Sequence, residues 1–199
     1  SIFVIFIATL MIIVTFYKSN NIQRILIFLA SCGYAFPGTI LAVGVGLGYA
    51  DAGPTHYLNE DIACMRSIVG LDVYSCSDEH STKFLANLAL EDPKLRVIRL
   101  ERHALYEIYN IEEQFDYDGF KTIYSGIDTC ILTYGNMTHR CIKVANSLKK
   151  EEINIGLFDV FFLKPFPDKL IKKINNYKKI ITIEEQTLAG GFGSIVLEN

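Results

Sequence analysis

The chain has 199 residues, half of them apolar, and a formal net charge of −3. That length suits one large or two small domains with a real core, and the slightly acidic balance argues against a nucleic-acid partner held by a basic patch. Five dispersed cysteines, Cys32, Cys64, Cys76, Cys130 and Cys141, lack metal-type or Cys-x-x-Cys spacing and read as reduced thiols packed as small hydrophobes.

Residues 1–48 are almost purely apolar. Ile2 to Tyr17 is one run, and Ile25 to Ala50 is a second, broken by Gly33, Pro37 and Gly38. Neither alternates like a half-buried strand or carries the polar face of a surface helix. The stretch predicts an apolar helical segment able to span a membrane, with inner-membrane association through residues 1–48; a buried strand and helix are the alternative. The chain opens on Ser1 rather than methionine and stops at Asn199 within a helical pattern, so both ends read as incomplete.

Charge becomes plentiful from Asp51 onward. Gly53 and Pro54 form a rigid turn that holds Thr55 and His56 at a defined place. Asn59 is a candidate N-cap for a helix to Ile68, with Glu60 and Asp61 in its first turn. A strand over Leu71–Ser75 follows, then a helix capped by Asp78 and running to Leu90 with Phe84, Leu85, Leu88 and Ala89 inward, then a strand over Leu95–Leu100. Glu101 to Lys121 lacks a clear period and reads as a connecting segment.

Thr129–Tyr134 predicts the next strand, and Asn136 a cap for a helix with Cys141, Ile142, Ala145 and Leu148 on one face. Ile153–Val160 is a strand, Pro167 opens a helix to Asn176, Lys179–Ile183 is a strand, and Gly190-Gly191-Phe192-Gly193-Ser194 is a tight turn into a final helix. That glycine cluster has neither the Lys-Ser/Thr ending of a phosphate loop nor the dinucleotide spacing. His80, His103 and His139 show no ligand spacing and read as surface or capping residues, and no metal site is expected. The alternation predicts an α/β fold of doubly wound parallel sheets, with a partial first domain over 49–110, a linker over 111–128 and a second domain over 129–199.

Four motifs in order, the Gly53-Pro54-Thr55-His56 turn, Arg99-Leu100-Glu101-Arg102, Leu163-Lys164-Pro165-Phe166, and Glu184-Glu185 before the glycine turn, resemble the transketolase family over roughly residues 43–199. The short or split transketolase-like proteins are nearest. The resemblance implies part of a pyrimidine-binding domain followed by a C-terminal domain, in a cytoplasmic enzyme that transfers two-carbon ketol units between sugar phosphates. It also implies thiamine diphosphate with Mg, held mostly by a diphosphate-binding subunit or homodimer partner. A 1-deoxyxylulose-5-phosphate synthase and a 2-oxo-acid dehydrogenase β subunit are the neighbouring alternatives.

By the same resemblance His56 is catalytic, donating to a sugar hydroxyl or steadying a developing alkoxide, and Asp51 contributes to substrate recognition, since Ala52 replaces the aspartate usual before the turn. Arg102 binds the substrate phosphate through its planar fork, with Arg99 the competing candidate. The glutamate that activates thiamine diphosphate belongs to the region filled here by the apolar runs, and the Gly-Asp-Gly metal motif is absent, so the chain is expected to be inactive alone. Separately, Leu29–Gly44 resembles a segment of iron-type ABC importer permeases, within residues 22–46. The two resemblances meet at Val43–Gly48 as at a join between two reading frames, which leaves a membrane permease fragment with a soluble tail as the alternative of another class.

Overall fold

The computed structural model describes residues 40–44, 59–101, 105–110 and 112–199. In chain order the elements are β1 (Ile40–Gly44), α1 (Asp61–Arg66), β2 (Asp72–Ser75), α2 (Glu79–Glu91), β3 (Arg96–Leu100), β4 (Phe120–Tyr124) and β5 (Thr129–Thr133). They continue as α3 (Asn136–Lys150), β6 (Gly156–Val160), β7 (Phe162–Lys164), α4 (Asp168–Ile174), β8 (Lys179–Ile183) and α5 (Phe192–Glu198). The strands form two four-stranded sheets, ordered β1-β3-β2-β7 and β4-β6-β5-β8.

The α/β expectation holds, with one correction to its parallel character. β1, β3 and β2 pair in parallel, as do β6, β5 and β8, but each sheet gains an antiparallel edge strand: β7 on β2 and β4 on β6. β5 and β6 are central and buried, every residue of β6 included, so they read as continuous apolar runs. β4 is half-buried throughout, and its mixed composition, Phe-Lys-Thr-Ile-Tyr, hid it in the segment expected to connect domains. β7 was hidden differently. It continues the apolar run of β6, the chain crossing from the second sheet to the first at Phe161, whose carbonyl accepts from Ser75 N at 2.9 Å. The Gly119 carbonyl accepts from Phe161 N and Phe162 N at 2.8 and 3.0 Å.

The sheets share a core. Ile62, Val73 and Val97 from the first half pack in one cluster with Leu132, Phe158, Val160, Leu163 and Phe192 from the second. A second cluster of Leu85, Leu88, Ile98, Tyr109 and Phe161, joined by Phe115, ties part of the expected connecting segment to α2. Lone apolar residues on β8 remain uncovered, Ile180 and Ile181 being 40% and 44% exposed.

Local chemistry explains the helix starts. Asp78 and Ser81 form a reciprocal capping box for α2, with Ser81 N donating to Asp78 Oδ1 at 2.8 Å and Asp78 N donating to Ser81 Oγ at 2.9 Å. Leu85, Leu88 and Ala89 are buried as expected. The α3 cap is Gly135 rather than Asn136: its φ of 58° suits glycine, and the Asn136 amide donates instead to Glu185 at 3.2 Å. Asn59 likewise does not cap α1. Glu60 takes that position without a side-chain hydrogen bond, and the Asn59 carbonyl accepts from Thr187 N at 3.1 Å.

Candidate active site

Asp51, His56 and Arg102 lie outside the described residues, but their points of attachment are described. β1 ends at Gly44 opposite Leu100 of β3, so the segments carrying them depart from the carboxyl ends of neighbouring parallel strands. Open α/β sheets place ligands at such an edge. The first segment rejoins the described chain at Asn59, ahead of α1.

Arg99, the competing phosphate ligand, is described and committed elsewhere. Its Nε donates to Asp61 Oδ2 at 2.6 Å, and the two side chains are 2% and 1% exposed. Tyr134 closes over this pair from the end of β5, its ring centroid 5.6 Å from the Arg99 guanidinium carbon. Burial pushes the Tyr134 phenol far above its ordinary pKa, and it is neutral at any working pH.

α1 has six residues, too few to be stable on propensity, and tertiary contacts from the second half hold it. Arg66 pairs with Glu198 and donates to the Gly190 carbonyl at 3.3 Å, while Lys164 donates to the Arg66 carbonyl at 2.9 Å. The glycine turn serves the same packing. Glu184 accepts from Phe192 N at 2.6 Å and Gly193 N at 2.7 Å, capping α5, and a Cβ on Gly191 would collide with the Thr187 carbonyl and with Glu184. The Glu-before-glycine motif is thus a capping device.

A cleft of about 320 Å³ opens at the same sheet edge, lined by Cys76, Asp78, Glu79 and Thr82 and by Leu100, Glu101 and Leu105. Burial pushes the Cys76 thiol up to about 12, which makes it a packing group rather than a nucleophile. Behind the cleft wall sits Asp159, fully buried. It accepts from Ser77 Oγ at 2.7 Å, Tyr109 OH at 2.7 Å and Thr138 Oγ1 at 2.8 Å. Burial raises its carboxyl to about 6 despite those three donors. Asp78 uses its other oxygen to accept from Ile108 N and Tyr109 N, both at 3.0 Å. His139 is half-buried rather than free at the surface, and its Nε2 donates to the Ser77 carbonyl at 2.6 Å.

Tyr109, Tyr134 and Asp159 were not singled out in the sequence, and Asp61 was read only as a first-turn acid of its helix. Only Asp159 left a signal, an acid inside an apolar strand, which must be partnered to be buried.

The described residues do not fit the diphosphate and metal end of thiamine diphosphate. Among the described residues the cleft presents Asp78, Glu79 and Glu101 and no cationic side chain, and no group of three potential metal ligands occurs among them. Residues 1–50 contain no Asp or Glu, so the stretch ahead of Asp51 supplies no carboxylate.

Comparison with known proteins agrees with this architecture. Residues 4–107 match the transketolase pyrimidine binding domain and residues 120–199 the transketolase C-terminal domain. An apulose-4-phosphate transketolase subunit of Phocaeicola vulgatus is 28% identical over 186 residues, covering 92% of this chain and 59% of its own length. The 1-deoxy-D-xylulose-5-phosphate synthase of Aquifex aeolicus is 31% identical over 157 residues, 74% of this chain and 24% of the synthase. Among solved structures, a split gene transketolase described as an inactive beta4 tetramer superposes with a TM-score of 0.71 at 28% identity, covering 80% of this chain and 52% of that one. The chain therefore spans little more than half the length of the subunit-type relatives it matches.

These matches correct the permease likeness, which finds no support. The pyrimidine-domain match begins at residue 4 and runs through Leu29–Gly44, and Ile40–Gly44 is a strand paired in parallel with β3. No helix among the described residues is long and apolar enough to cross a membrane. With one family domain matched over more than half the chain and a second following it in order, this chain belongs to the transketolase family.

Proposed function

We propose that this chain supplies the pyrimidine-binding and C-terminal half of a transketolase-type transferase that moves two-carbon ketol units between sugar phosphates. Thiamine diphosphate, the cofactor general to the family, provides the carbanion chemistry when bound. A partner chain supplies the diphosphate- and Mg-binding half, and this chain is inactive without it. The observation that carries this reading is the tandem of the two family domains, residues 4–107 and 120–199.

Within that reading His56 binds the sugar near its reacting carbons, Arg102 binds the substrate phosphate with paired hydrogen bonds, and Asp51 assists recognition of a hydroxyl. Arg99 is left to Asp61. The test is a ketol-transfer assay with a ketose phosphate donor and an aldose phosphate acceptor, on the chain alone and after mixing with a diphosphate-binding transketolase subunit. Turnover only in the mixture is expected. Turnover by the chain alone refutes the dependence on a partner, and an inert mixture refutes the activity.

The synthase reading is favoured by the 31% identity to the Aquifex enzyme. It predicts that the mixture consumes a 2-oxo acid donor and releases carbon dioxide, which the transketolase reading does not.

A further inference from the structure

Residues 105–110 belong to neither sheet, and side chains rather than a backbone ladder hold them. Two buried carboxylates do so. Asp78 Oδ2 accepts from Ile108 N and Tyr109 N, both at 3.0 Å, and Asp159 Oδ2 accepts from the Tyr109 hydroxyl at 2.7 Å. The Tyr109 ring is edge-on to Phe115 and Phe161, with centroids 5.0 and 6.0 Å away. On the other side Tyr106, Glu107 and Asn110 face water, and Leu105 forms part of the wall of the cleft beside Asp78 and Glu101. A stretch anchored at so few points opens at lower cost than the strands behind it.

The two oxygens of Asp159 are held differently. Oδ1 accepts from Ser77, just ahead of α2, and from Thr138 in the first turn of α3. Among the described residues Oδ2 accepts from Tyr109 alone. Lifting Tyr109 therefore uncovers Oδ2, and a carboxyl that meets water returns from its buried value of about 6 toward the ordinary carboxylate range. The closed form thus holds its proton more tightly than the open form. Closure is firmest below about pH 4 and weakens as pH rises through about 6. The ionisable groups around Asp159 are Cys76 and Asp78 from the lead into α2, Tyr109, and Cys141 from α3. Burial pushes both thiols and the phenol up, so these three stay neutral across this range. Lys121, opposite Asp159 on β4, turns to Glu113 and the Gln114 carbonyl, and His139 reaches the Ser77 carbonyl.

We propose that Leu105–Asn110 is a strap, latched to the fold by Asp78 and Asp159, that closes beside the cleft with proton uptake at Asp159 and opens more readily once that proton has left. The width of a cleft at the carboxyl ends of the strands thereby depends on pH. This inference does not rest on the transfer reaction proposed above.

The test is amide hydrogen exchange on the full chain at pH 4.5 and pH 7.5, each rate divided by that of an unstructured amide at the same pH. The amides of Ile108 and Tyr109 report closure directly, because they donate to Asp78. Their protection falls on the order of tenfold between the lower and the higher pH, while amides of β5 and β6 stay better protected at both. In Asp159→Asn the protection of the strap is flat with pH. Tyr109→Phe lowers that protection more at pH 7.5 than at pH 4.5, and decides the matter together with the parent if Asp159→Asn does not fold. A flat profile in the parent overturns the proposal. So does strap protection equal to that of β5 and β6, which means that the segment never opens by itself. A pH dependence that persists in Asp159→Asn belongs to a group that variant keeps, His139 among them, and overturns the role of Asp159.

Discussion

Asp61 and Asp159 are both more than nine-tenths buried, one where α1 meets the first sheet and one near the end of a central strand of the second, and they are kept there by opposite means. Asp61 faces a guanidinium, which is charged at every accessible pH, so its partner never changes state. Asp159 faces three hydroxyls, which stabilise a carboxylate without matching its charge, and burial wins to the extent of lifting it to about 6. A cage of hydroxyls leaves the proton of a buried acid negotiable. The first half is accordingly tied within itself by a permanent contact to the Arg99 charge, and joined to the second half by one that responds to pH.

The largest effect should come from breaking the permanent contact on one side only. Asp61→Ala leaves Arg99 buried and unpaired, and we expect a loss of roughly 3–5 kcal/mol in urea unfolding; a loss below about 1 kcal/mol would mean that the guanidinium finds water or another acid.

The pH-responsive contact is next. Asp159 has a folded pKa above its unfolded one, so its protonation stabilises the fold fully below about pH 4, and that contribution fades as pH rises through about 6. Asp159→Asn cannot titrate. The stability of the wild type relative to this variant should therefore improve on going from pH 7 to pH 4, by an amount on the order of 3 kcal/mol. A difference that is flat with pH would show that Asp159 is not set apart by its burial.

Tyr109→Phe removes one of the three donors and should cost about 1–3 kcal/mol at pH 7, with the pH midpoint of the same comparison moving upward. An unmoved midpoint would put the weight on Ser77 and Thr138. The smallest effect is expected at Tyr134→Phe. Because the hydroxyl has no partner, thermal unfolding should stay within about 0.5 kcal/mol of the parent or improve slightly, and a larger loss would reveal a bridging water that joins Tyr134 to the ion pair.

The elements that were legible in the sequence share a local cause. Asp78 announces α2 because a cap acts over three residues, and Thr129–Thr133 and Lys179–Ile183 read as strands because the apolar run and its boundaries are local. β4 and β7 were illegible because an edge strand is defined by what it pairs with: Phe120–Tyr124 gains its place from β6, and Phe162–Lys164 from β2. The site divides in the same way. The His56 turn and the Arg102 strand end were conspicuous through their motifs, yet nothing near Arg99 in the sequence tells that its carboxylate partner lies 38 positions away. Asn136, the expected cap, lost that role to Gly135 because the turn requires a positive φ, a backbone demand that Asn136 itself does not display.

The passage of one apolar run from β6 into β7 also bears on how this protein can be cut and recombined. By matched boundaries the chain is two modules, 4–107 and 120–199, yet an edge strand of the first sheet is encoded in the second module, and Leu163 lies in the core common to both sheets. A chimera that joins the first module to another relative's second module inherits a foreign edge strand and foreign core residues along with it. Exchange between relatives should therefore be tolerated where Phe161–Lys164 travels with a matching β2, and the natural unit of shuffling is the pair of modules rather than either one.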